Sequence, residues 1–177
     1  MSELILPAPL WRRFAAAIYD GLLLIGITMA TLLLSLPLQP VLGIKPGDAG
    51  LRAVVFLVGC AFFGWFWTRG GQTLGMRAWR LQLRRELGDA VRWPIAAVRY
   101  LAMLAYWGIN LTPVAAAIIL RSPTLAPHFP HIREAALAAI TVALAAIALR
   151  WLDSRSRLPH DWLSGTDVML LPRNPSK

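Results

Sequence analysis

The chain has 177 residues, 57% of them hydrophobic and only 15% charged, with a mean hydropathy of +0.56. Soluble domains carry about a quarter charged residues, so a soluble domain is excluded. A net charge of +9 would point to nucleic acid in a soluble protein, but here the basic residues lie between apolar blocks without a recognition motif, which sets nucleic acid aside.

The first apolar block follows Trp11-Arg12-Arg13 and runs from Phe14 to about Leu36. It is longer than a signal-peptide core of about 7–15 residues, and no small-residue cleavage site follows, so it is expected to stay attached. Prolines 37, 40 and 46 with Gly43, Gly47 and Gly50 then break the chain. The second block is Leu51–Trp67, the third about Arg99–Leu120 and the fourth Ala135–Leu152, with Pro123, Pro127 and Pro130 between the last two. Each approaches the roughly 20 apolar residues that cross a bilayer core. The expected fold is an all-α membrane protein with four transmembrane helices and a basic amphipathic cytoplasmic loop. Residues 11–171 form its domain, between tails 1–10 and 172–177. Cys60, the single cysteine, lies in an apolar run as a packing residue, and no disulfide is expected. Ala135, Ala139 and Ala143 are four apart and permit close helix approach.

Of the 18 lysines and arginines, only Lys45, Arg52, Arg121 and Arg133 fall to one face of this arrangement; the other 14 fall to the termini and the loop between spans two and three. Basic residues concentrate in cytoplasmic loops, so both termini are expected in the cytoplasm. Every tryptophan except Trp107 lies at or beyond the same ends of the spans. Their amphipathic rings favour the interface.

Asp20 lies about two turns, roughly 10 Å, inside the first span. A carboxylate at a helix centre costs about 2.5–3.5 kcal/mol on insertion scales, so Asp20 should face helices, a cation or a water-filled cavity. Arg13, seven residues earlier, shares its face within roughly 20°. Two readings stay open: a packing latch, or a carboxylate that exchanges proton and cation.

The loop after the second span reads GGQTLGMR at 70–77. Gly71, Gln72, Thr73 and Gly75 read as a tight turn, and the pattern is not a P-loop. Arg77, Arg80 and Arg84 follow at i, i+3 and i+7, one face of a helix, and are candidate contacts for anionic headgroups. Leu81 and Leu83 alternate with polar residues instead, and Gly88-Asp89 would turn a hairpin back towards Val91 and Trp93. Both readings of 74–93 stand. After the fourth span, RLPHDWLSGTDV occupies 157–168. His160 and Asp161 near Ser164 lack the setting of a hydrolase, so no catalytic residue is assigned. The segment is expected to fold back, with Asp161 reaching an arginine, Arg13 being one candidate. His128 and His131, with Glu134 nearby, read as a loop rather than a metal site.

Together, RFAAAIYD at 13–20, GGQTLGMR and RLPHDWLSGTDV resemble the RDD family of bacterial membrane proteins, from Trp11 to about Leu171. That family is named for an arginine and an aspartate early in the domain and an aspartate late in it. By position these are Arg13, Asp20 and Asp161, and the resemblance also covers Gly71, Gln72, Thr73, Gly75, His160, Gly165 and Thr166. Met76 stands where members often carry lysine, and Ser164 where they often carry alanine. The resemblance implies a multi-pass protein of the bacterial cytoplasmic (inner) membrane. Some members have been linked to sodium–proton antiport. The leading expectation is therefore a small monovalent-cation/proton transporter with Asp20 as its ion or proton site, working as a homo-oligomer because four helices leave little room for alternating access. The alternative is a non-transporting assembly or regulatory factor whose arginine and aspartates are structural and whose basic loop meets lipid or a partner protein. Neither reading calls for enzymatic activity, a cofactor or a metal.

Overall fold

A computed structural model describes residues 6–45, 48–85, 88–153 and 157–172. Residues 1–5 and 173–177 of the expected tails lie outside the described residues, as do Pro46, Gly47, Arg155, Arg173 and Lys177 of the sequence reading. In chain order the elements are β1 (Leu6–Pro7), α1 (Leu10–Ser35), α2 (Gln39–Leu42), α3 (Ala49–Arg69), α4 (Leu74–Ala78), β2 (Leu81–Arg85), α5 (Trp93–Arg121), a 3-10 turn (Ala126–His128), α6 (Ile132–Leu152), α7 (Pro159–Ser164) and β3 (Thr166–Leu170).

The four expected spans fall on α1, α3, α5 and α6, each long and apolar enough to cross a membrane. Their surfaces carry the pattern of lipid-facing helices. Leu22 is 64% exposed, Ile118 63% and Leu144 62%, whereas the buried residues of α1 are Arg13, Ala16 and Asp20. A soluble helix would bury its leucines. Polar side chains inside these helices satisfy themselves: Thr31 donates to the Ile27 carbonyl at 2.8 Å, and Thr68 to that of Gly64 at 2.7 Å.

The chain divides into two compact units, residues 1–97 with 166–177, and residues 98–165. The first unit departs from the all-α expectation, because it holds a three-stranded antiparallel sheet in the order β1-β3-β2. Its central strand comes from the end of the chain, with Leu83 opposite Val168 and Leu6 opposite Leu170. The open choice over 74–93 is resolved as a short helix and then a strand. Arg80, with φ of 56°, ends the helical path, and Leu81 and Leu83 bury alternate positions at 1% and 2% exposure. Arg77, Arg80 and Arg84 consequently do not form one helical face: they lie on α4, at the left-handed junction and on β2. Of the two readings, the hairpin towards Val91 and Trp93 does not form among the described residues: the Arg85 N–H donates to the Asp89 carbonyl at 3.1 Å, and β2 pairs with β3.

The outer edge of β2 is covered. The Leu83 N–H donates to the Gly71 carbonyl at 2.7 Å, and the Gln72 amide donates to the Leu81 carbonyl at 2.7 Å. An edge strand satisfied in this way offers no template for pairing with another chain. In the second unit, α5 passes through Pro113 without ending, and Asn110 donates to the Tyr106 carbonyl at 2.7 Å.

Candidate functional site

In the first unit, Asp20 meets the turn that GGQTLG builds. Thr73 is the N-cap of α4, its hydroxyl accepting from the Met76 N–H at 3.2 Å. The same hydroxyl donates to Asp20 Oδ2 at 2.5 Å, and the Gly75 N–H donates to Asp20 Oδ1 at 2.9 Å. Both carboxylate oxygens are engaged, and Asp20 is 5% exposed. In effect Asp20 caps α4 from another helix, supplying an acceptor to an N–H of the first turn that has no partner within the helix.

Gly75 makes that approach possible. A Cβ there would overlap the Ala16 carbonyl oxygen and come within 2.9 Å of Asp20 Oδ1. Gly71 answers a second demand: its φ is +65°, and a Cβ there would overlap the Leu83 carbonyl oxygen. Met76 is 8% exposed, so the position where relatives often place a cation is here an apolar packing site.

Arg13 is buried on the same helix, its guanidinium donating to the Val168 carbonyl on β3 at 3.1 Å. It ties α1 to the central strand. The sequence offered Arg13 as the partner of Asp20; the structure gives Asp20 a hydroxyl and an N–H, and no ion pair among the described residues.

Asp161 occupies a separate centre in the second unit. It is fully buried, and its Oδ1 lies 2.7 Å from Nη1 of Arg99, which is 5% exposed on α5. Its Oδ2 accepts from the Leu158 N–H at 2.9 Å, capping α7 at its start. Ser164 donates to the His160 carbonyl at 2.6 Å, and Gly165, with φ of 56°, ends α7 in the left-handed conformation. The His160 ring packs against Tyr106 with centroids 5.3 Å apart. Thr166, next in the motif, is buried at the start of β3 in the first unit. Arg99 is the residue that sequence reasoning missed as a site member, having entered only as the start of the third span and among the basic residues counted for sidedness.

The remaining candidates supply no side-chain hydrogen bond to Asp20 or Asp161 among the described residues. Arg77 is exposed, while Arg80 and Arg84 are half-buried. His128 lies with Nδ1 3.0 Å from the Thr124 carbonyl, within its own loop.

Four membrane-length helices, with buried aspartates held by partners on neighbouring elements, define a multi-pass membrane protein. The chain belongs to the RDD family, whose sequence profile matches residues 7–165. No curated protein and no solved structure matches it significantly.

Proposed function

We propose that this RDD protein is a non-transporting assembly or regulatory factor of the bacterial cytoplasmic membrane, in which Arg13, Asp20 and Asp161 are structural. The observation that carries this reading is that buried Asp20 has a donor on each oxygen, Thr73 and Gly75, and so caps α4. A cation or proton taken up at Asp20 would compete with both of these donors, each hydrogen bond to a charged acceptor being worth about 1.5–3 kcal/mol.

The distribution of lysine and arginine supports an orientation with both termini in the cytoplasm. The sheet and the basic loop then lie on the cytoplasmic face, where anionic lipid headgroups attract basic residues. In this reading the chain needs no homo-oligomer, whereas the cation/proton exchanger does.

The test is proton flux in liposomes containing the purified protein, challenged with sodium, lithium or potassium, for wild type and Asp20→Asn. The expected result is no cation-dependent flux from either, with a lower unfolding temperature for the variant. Cation-dependent flux in the wild type that disappears in a folded Asp20→Asn protein would establish the exchanger instead.

A further inference from the structure

The groove beside the outer edge of β2 has the chemistry of a phosphate site. It is an open groove of about 370 Å³, between the end of α3, the Gly70-Gly71 turn, β2 and residues 88–91. That volume falls in the range of ligand pockets, about 300–1,000 Å³. Trp67, Leu83 and Val91, all at most 3% exposed, give the lining its apolar part, while Arg69 and Arg84 bring positive charge to it.

Both guanidinium groups are held in place. Arg69 closes α3 and stacks 3.6 Å from the centre of the Trp65 ring. Such stacking orients the flat guanidinium and leaves its in-plane N–H groups available. Arg84 donates through Nε to Gln82 Oε1 at 3.1 Å, and the Gln82 amide donates in turn to the Gly70 carbonyl at 3.4 Å. This anchors Arg84 by its inner nitrogen and leaves the terminal pair for a ligand. Neither arginine has a carboxylate partner among the described residues. Two acids are near. Asp89 lines the groove and lies 3.9 Å from Arg85; Asp167, opposite Arg84 in the strand register, is buried and makes no ion pair with it.

We infer that this groove binds the phosphate of an anionic phospholipid headgroup. Fixed guanidinium forks match phosphate oxygens, and the buried Trp67, Leu83 and Val91 give the groove a firm floor beneath them. Trp65 and Trp93 are each about half exposed near the membrane ends of α3 and α5, the setting of interfacial tryptophans. The inference rests on the reading above that this end of α3 lies at the membrane surface.

The experiment titrates the full-length protein in neutral detergent with phosphatidylglycerol, phosphatidylcholine or soluble glycerol phosphate, and counts bound molecules by native mass spectrometry. The wild type should retain one phosphatidylglycerol in preference to phosphatidylcholine, and glycerol phosphate only weakly. Arg69→Gln with Arg84→Gln should weaken phosphatidylglycerol binding about tenfold or more, from the loss of charge-assisted hydrogen bonds. Arg12→Gln with Arg92→Gln, equal in charge but outside the groove, should leave it within about twofold. Circular dichroism checks folding; should the glutamine pair unfold, Arg69→Lys with Arg84→Lys carries the test, keeping charge but losing the fork, with a smaller expected loss. Equal weakening by both glutamine pairs would overturn the site and leave a diffuse basic surface. Equal retention of phosphatidylcholine and phosphatidylglycerol by the wild type would overturn both the site and the lipid-facing loop. Glycerol phosphate bound as tightly as the lipid would make the groove a soluble-phosphate site.

Discussion

The two buried aspartates solve one problem in different ways. Asp161 is met by a cation, Arg99, and by the N–H that opens its own short helix. Asp20 is met by a hydroxyl and an N–H, both from the turn that opens another helix. Removing one partner of a buried ion pair strands the other charge, whereas removing Asp20 strands only neutral groups. The second unit should therefore be the more brittle of the two at its carboxylate.

The largest expected effect follows directly. Asp161→Ala should destabilise the protein by about 3–5 kcal/mol, because Arg99 would stay buried without its counter-charge. Arg99→Ala should approach the same loss. The double variant should cost clearly less than the two single losses added, since both remove one interaction. Denaturant unfolding in detergent measures all three. Additive losses would mean that the 2.7 Å pair is not the source of the damage.

Asp20→Ala comes next, at about 2–3 kcal/mol, from a hydroxyl and an N–H left buried without their acceptor. Asp20→Asn should cost roughly 1 kcal/mol, because its carbonyl oxygen can still accept from Gly75 while its amide faces the Thr73 oxygen. If the asparagine were as damaging as the alanine, charge rather than hydrogen-bond geometry would hold α4, and the contrast with Asp161 would collapse. Gly75→Ala follows at about 1–3 kcal/mol, the usual cost of forcing a methyl into filled space, here against the Ala16 carbonyl. A neutral outcome, read as an unchanged unfolding midpoint, would mean that α4 shifts freely on α1.

Much of this comparison was hidden in the sequence. The four spans were legible because a bilayer demands a long run of apolar residues, which composition alone reveals. The burial of Asp20 was legible for the same reason. Its partners were not: Thr73 lies 53 residues away, and no local periodicity links a helix to a distant turn. The sheet escaped because β1 has two residues and β3 comes from the other end of the chain. Alternating Leu81 and Leu83 hinted at a strand without naming its neighbour. Arg99 was within reach. It begins the third apolar block, and the rule that made Asp20 conspicuous, a charge that must find a partner, applies to it equally.

The smallest expected effect isolates the Thr73 hydroxyl. Thr73→Ser keeps the oxygen that donates to Asp20 and accepts from the Met76 N–H, and serine is as good an N-cap as threonine. It loses one methyl at a position 1% exposed, about 0.5–1 kcal/mol. Thr73→Val keeps the shape and deletes the oxygen, leaving the Met76 N–H and an Asp20 oxygen unmatched, and should cost about 2 kcal/mol. The loss in the valine variant then reads the hydroxyl, and the loss in the serine variant reads the methyl. A valine variant as stable as the wild type, with serine the weaker of the two, would assign the site to methyl packing, and Asp20 would be held by Gly75 alone.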